Sequence, residues 1–177
     1  VERMPKENGH LLNWYQTETL EVLQPAYVSA VDSGNLAGHL IAVAGACYSR
    51  ASKADSTTDE KKALGLIGEQ CERIAMAMDF RGLYNRKRHL FHIGLRVHEH
   101  ALDASYYDLL ASESRLGSFL AIAKGDVPRR HWMSLGRAFL SVGVTPGLKS
   151  WSGSMFEYLM PSLVMQEPDQ GLLRMSG

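Results

Sequence analysis

Residues 105–124, SYYDLLASESRLGSFLAIAK, decide how this chain reads. Ser105 with Asp108 three residues later has the form of a capping box, in which the hydroxyl takes a free backbone N–H and the acid reaches back. Gly125 follows the last periodic residue and suits the left-handed conformation that closes many helices. Between those ends Tyr106, Leu109, Leu110, Leu116, Gly117 and Leu120 recur at intervals of three and four, which predicts a helix over 105–124 with one apolar face. Glu113 falls in the middle of that face. A carboxylate there has to be paired, hydrogen-bonded, or neutral with a raised pKa, because an unpaired charge is costly to take out of water. A carboxyl held neutral in this way is what a general acid needs. The structural alternative is that Glu113 pairs with a buried arginine or caps a neighbouring element.

Length and composition set the frame around this stretch. A chain of 177 residues is one domain's worth, able to bury about two thirds of its unfolded surface. Lys+Arg and Asp+Glu are both 19, and no basic stripe stands out, so nothing points to a nucleic-acid partner. No apolar run approaches the ~18–20 residues of a membrane span, and no signal peptide opens the chain. Cys47 and Cys71 lie in different predicted helices without metal-site spacing, as expected of a reduced pair.

Upstream, residues 1–8 are charged and carry Pro5, which predicts a loop; residues 9–32 have no helical period, and Asn13-Trp14-Tyr15 with Pro25 predicts an extended, irregular segment. Trp14 reads either as core filler or as a flat apolar platform with a polar edge, suited to a sugar ring. Asp32-Ser33 starts a helix reaching about residue 52, with Asp32 or Ser33 as N-cap; Asp32 reads equally as a cap and as a ligand-contacting residue. Ala37, Gly38, Ala42, Ala44, Gly45 and Ala46 in that helix imply close contact with a second helix. Thr57 or Thr58 caps the next helix, which runs to about residue 78 on a stripe of Leu64, Ile67, Cys71, Ile74 and Met78. Leu83-Tyr84, the turn 85–88 and Leu90–Ile93 read as a β-hairpin. His98, Glu99 and His100 raise a metal reading, but no third ligand has recognisable spacing, and the sequence calls for no metal or cofactor.

Downstream, Asp126 is expected to cap a helix with Pro128 in its first turn, with Trp132 and Arg137 as candidates to project toward Glu113. Residues 140–149 hold Gly143, Pro146 and Gly147 and read as loop. Ser152 or Ser154 caps a short helix that Pro161 ends or kinks. Within it, Glu157 is a second acid in an apolar neighbourhood, although an acid in a first turn often serves only the helix dipole. Residues 166–177 read as a polar, loop-like tail. Four or five helices and a hairpin make a poor closed domain, so the chain is expected to be part of one.

Three stretches then resemble a known family. NWYQTETLEVLQPAYVSAVDSGNLAGHL, SYYDLLASESRL and SWSGSMFEYLMPSLVM, in that order, are similar to the central, glucoamylase-like domain of the cyclic β-1,2-glucan synthases, and the resemblance spans residues 9–165. It implies a mainly α fold, part of an (α/α)6 toroid with one β-hairpin insertion, whose cleft handles a β-1,2-glucan oligosaccharide. The implied activity is a retaining transglycosylation that closes linear glucan into rings. The implied location is the cytoplasmic side of a bacterial inner-membrane synthase, with the rest of that synthase as partner and self-association possible through exposed half-barrel faces. Glu113 of Ala111–Arg115, ASESR where the family motif usually reads ASEAR, matches one catalytic carboxylate. Asp32, Trp14, Tyr107, Asp108, Trp151 and Glu157 are expected to line sugar subsites. The family's second carboxylate belongs to a Trp-Gly-Ile-Ser-Glu type stretch beyond MFEYLMP that this sequence does not show, so the isolated chain is expected to be catalytically silent. A β-1,2-glucan hydrolase of similar fold and a non-catalytic glucan-binding or scaffolding piece are the alternatives.

Overall fold

A computed structural model describes the chain except for residues 54, 144, 170 and 174–177. It begins with a two-strand ribbon, β1 (Lys6–Glu7) and β2 (His10–Leu11), followed by an irregular stretch and β3 (Tyr27–Ser29). Helix α1 (Ala30–Ala51) follows without a break, and α2 (Thr58–Ala77) packs along it. A 3-10 turn over Phe80–Leu83 leads to β4 (Tyr84–Asn85), β5 (Leu90–His92), β6 (Gly94–Arg96), β7 (Ala101–Leu102) and β8 (Tyr106–Tyr107). Then come α3 (Arg115–Lys124), α4 (Arg130–Ser134), the hairpin β9 (Phe139–Val142) and β10 (Thr145–Leu148), and α5 (Met155–Leu159). All strand pairs are antiparallel, in sheets β1-β2, β3-β6-β7, β4-β5-β8 and β9-β10.

This is a mixed α/β arrangement, and the expected (α/α)6 toroid is not there: among the described residues only α1 and α2 exceed ten residues, and four small sheets fill the space between helices. The half-barrel faces through which self-association was expected have no counterpart either. Two local readings underlie the difference. Residues 105–111 are extended, with Tyr106 and Tyr107 paired to His92 and Phe91 and with Leu109 and Ala111 bridged in parallel to Gly136 and Ser150, and residues 112–114 turn into α3. Tyrosine is at home on a pleated surface, and partners distant in sequence override the apolar period that suggested a helix. Residues 140–149, expected as loop, form most of the β9-β10 hairpin, with Gly143 at φ 64 at its turn.

The helices follow some of their sequence signals and depart from others. Ser29, not Asp32 or Ser33, caps α1, its hydroxyl accepting from the Asp32 N–H at 3.2 Å. Thr57 caps α2 in the same way, and Gly125 closes α3 at φ 81. The 84–92 hairpin is as expected, with the Asn85 side chain accepting from the Lys87 and Arg88 N–H groups. Asp126 does not cap α4, whose N-cap is Arg129; it pairs with Lys124 and accepts from the Phe80 N–H.

One apolar cluster gathers Val28, Ala37, Ala75, Met78, Phe80, Phe91 and Ala121 beneath α1, α2 and α3, and a second gathers Leu90, Leu110, Ala111, Leu135 and Leu148 beneath the later segments. Each large member, such as the fully buried Phe80, contributes about 1.5–3 kcal/mol relative to exposure. The small residues of α1 meet helices on two sides: Gly34 and Gly38 against α3, and the second half of α1 along α2, where Ala44 is fully buried. A Cβ on Gly34 would stand 2.5 Å from the Gly117 Cα, and one on Gly38 would run into the Leu116 side chain, whereas Gly45 faces open space. The first turns of α1 and α3 therefore cross backbone to backbone, a contact available only to glycine. That crossing positions the site.

Candidate functional site

Glu113 does not lie on a helix face. It is the residue before Ser114, the N-cap of α3, and is half-buried in the turn that joins the extended segment 105–111 to that helix. The Gly34–Gly117 crossing sets the next residue of α1, Asn35, beside it, and the Asn35 Nδ2 donates to Glu113 Oε2 at 3.2 Å. Burial pushes the Glu113 pKa up; the Asn35 donation works against this, and the nearby charges of Asp32 and Glu157 push it up further. No arginine bonds to Glu113 among the described residues.

Tyr107 and Trp151 stand together next to it, ring centroids 5.4 Å apart and tilted by 50°. Trp151 is delivered by the main chain, its N–H donating to the Ala111 carbonyl at 3.1 Å, two residues before Glu113. The Tyr107 phenol is pushed up to about 12, first by burial and then by the charges of Glu113, Asp32 and Glu157, so it is a neutral hydroxyl at ordinary pH. Asp32 is exposed in the first turn of α1. Behind them Tyr27 donates to Asp103 Oδ2 at 2.5 Å, and burial and that bond raise its pKa.

Glu157 comes close enough to be felt by Glu113, but its own carboxylate is fully engaged. It accepts from the Ser152 N–H at 2.9 Å, the Ser152 hydroxyl at 3.0 Å and the Ser154 N–H at 3.2 Å, completing a capping box on α5. Burial raises its pKa, yet these bonds together outweigh that and hold it below the usual carboxylate range. The buried arginine that Glu113 lacks is Arg115, two residues on. Completely buried, it donates to the carbonyls of Ser112 at 3.3 Å, Glu157 at 2.5 Å and Tyr158 at 2.6 Å, and pairs with Glu167 at 2.7 Å. It ties both flanks of Glu113 to α5.

Of the residues expected in the site, the structure brings together Glu113, Tyr107, Trp151, Asp32 and Glu157. Trp14 is half-exposed and lines a hollow of about 370 Å³ with Leu12, Asp32 and Leu36, so it reaches the group through Asp32. Asp108 is exposed, and no described side-chain contact links it to Glu113. Trp132 and Arg137 do not turn toward it: the Arg137 guanidinium donates to the carbonyls of Trp132 and Leu135, and both residues line a separate apolar cavity of about 760 Å³ with Leu110 and Phe119. Sequence reasoning missed Asn35 and Arg115. Asn35 sits directly after the glycine of the helix crossing, and Arg115 within the same five-residue motif as Glu113. Among the described residues no three His, Cys, Asp or Glu side chains are placed to hold a metal ion. Cys47 and Cys71 are free thiols.

Half-burial, aromatic neighbours and clustered acids on one rim are the setting in which a comparison with known proteins becomes informative. Over 98% of its length the chain aligns at 33% identity with a synthase of cyclic glucans, which supports a fragment of the cyclic glucan synthase family. The relative is the Cyclic beta-(1,2)-glucan synthase NdvB of Rhizobium meliloti (strain 1021), and the chain spans about a tenth of its length. The alignment runs over 288 positions against 177 residues here, so more than a hundred of them find no residue in this chain. No family model matches.

Proposed function

We propose that this chain forms one wall of a β-1,2-glucan cleft in a cyclic glucan synthase and that Glu113 is the carboxyl that gives and takes the proton when linear glucan is closed into rings. The observation that carries this reading is the state of Glu113: half-buried, inclined to hold its proton, and anchored by Asn35 through a single oxygen. A protonated carboxyl can donate to the leaving glycosidic oxygen, and the same group, once ionised, can draw the proton from an incoming sugar hydroxyl. Trp151 and the neutral Tyr107 offer a flat apolar surface and a hydroxyl beside that atom, suited to orienting the acceptor sugar and keeping water away.

Retaining transfer needs a second carboxyl about 5–5.5 Å from the first. Glu157 is a poor choice, since its oxygens already hold Ser152 and Ser154. We assign that role to a residue of the parent synthase outside this sequence, as the resemblance implies, and expect the chain alone to be silent. By the same resemblance the segment lies on the cytoplasmic side of an inner-membrane protein; no helix among the described residues is long and apolar enough to cross a membrane. Glu113→Gln in the full-length synthase is expected to abolish cyclic product while linear polymer still forms. Unchanged ring formation would remove Glu113 from the chemistry, and short linear sugars as the normal product would favour hydrolysis over transfer.

A further inference from the structure

Asn35 has an unusual balance of partners. Its Nδ2 donates to Glu113 Oε2 at 3.2 Å, while its Oδ1 is buried and meets no hydrogen-bond partner among the described residues. A buried amide oxygen left unpaired works against the fold, so the position is not explained by stability. The amide's one described side-chain bond points at the carboxyl of the site. The groups that face Glu113 are Asp32 from α1, Glu157 from the capping box of α5 and Tyr107 from β8; the first two are acidic, and the third is a neutral phenol raised partly by Glu113 itself. Arg115, close in sequence, spends its charge on Glu167 and three carbonyls. Asn35 is thus the one described donor that favours the ionised form of Glu113.

We infer that Asn35 is a positioning residue for Glu113: its amide N–H holds Oε2, fixes the orientation of the carboxyl and favours its ionised form, while the buried Oδ1 is left without a partner among the described residues. This rests on the reading of Glu113 as the proton-transferring group, but its test does not. In the 177-residue chain, selectively labelled with 13C at the glutamate carboxyl, the Glu113 resonance is assigned by its loss in Glu113→Gln and followed through a pH titration. Asn35→Ala is expected to raise the midpoint by about one pH unit, the scale of a lost hydrogen bond to a charged group. The urea midpoint should stay within error of the parent where the carboxyl is protonated in both states and fall only where it is ionised, by the amount that the titration shift implies. Asn35→Asp keeps the shape, removes the donor and adds a charge, so it should raise the midpoint at least as far; it also serves if the alanine variant does not fold. A midpoint that is unchanged or lower in the folded variants overturns the inference, as does a loss of stability without a titration shift. Ring closure by the full-length synthase can fail or succeed independently of either outcome.

Discussion

Replacing Arg115 probes the assembly that carries the site. Its guanidinium is completely shielded from solvent and makes bonds of 2.5 to 3.3 Å to the carbonyls of Ser112, Glu157 and Tyr158, with two more to the Glu167 carboxylate at 2.7 and 3.1 Å. The Glu167 side chain is itself only 11% exposed. Arg115→Met keeps most of the apolar volume but leaves one carboxylate without its counter-charge and the carbonyls of Glu157 and Tyr158 without the guanidinium, whereas the Ser112 carbonyl keeps the N–H of residue 115 at 3.1 Å. Breaking a buried pair from one side costs about 3–5 kcal/mol. For a urea slope of about 2 kcal/mol/M, the unfolding midpoint should fall by about 1.5–2.5 M. Pairing it with Glu167→Met should restore part of the loss, because the stranded charge goes, but not all of it, because the carbonyls remain unpaired at about 1–3 kcal/mol each. Urea unfolding followed by far-UV circular dichroism measures both variants. A loss below about 1 kcal/mol for Arg115→Met would refute the claim that this side chain braces the flanks of Glu113.

Two further outcomes follow from the helix crossing and the buried histidines. Gly34→Ala places a Cβ 2.5 Å from the Gly117 Cα and should cost about 1–3 kcal/mol as α1 and α3 are forced apart, whereas Gly45→Ala in the same helix meets nothing within 4 Å and should stabilise by about 0.5–1 kcal/mol. Thermal melts of the two variants should move in opposite directions; shifts of the same sign would contradict the crossing. His10 and His131 are held below their usual pKa chiefly by burial, so below about pH 6.5 the unfolded chain binds protons that the folded chain refuses, and stability falls as pH drops through that range. Glu113, raised by burial, acts in the opposite sense, but two histidines outweigh one carboxyl. A urea midpoint higher at pH 5.5 than at pH 7.5 would overturn this.

Where residues close in sequence fix the structure, the sequence was a good guide. Thr57 capping α2, the Asn85 turn and the Ser154–Glu157 capping box are each contained in a handful of neighbouring residues. Ser105 and Asp108 offered the same kind of signal and misled, because the segment after them is claimed by Gly136 and Ser150, which no local pattern reveals. The toroid was supplied by resemblance and not by periodicity; the apolar stripe read on α2 is only partly covered in the structure, where Ile67 is 46% exposed and Met78 at its end is fully buried. Glu113 reaches partial burial by another route than the helix face that suggested it. The Asn35 contact was hidden because it depends on two glycines, one in each helix, which read only as small residues until they are seen touching.

The reach of Arg115 also bears on how the chain comes together during synthesis. The α1-α2 hairpin is joined by a short link and can form from nearby residues, early and quickly. The edge bearing Glu113 cannot be locked until Glu167, 52 positions further on, has left the ribosome. Until then the Arg115 guanidinium waits for the Glu157 and Tyr158 carbonyls and the Glu167 carboxylate, all still being made. The edge that carries Glu113 is thus among the last parts to set, and a ribosome stalled short of residue 167 would leave a scaffold already built around an unfinished edge.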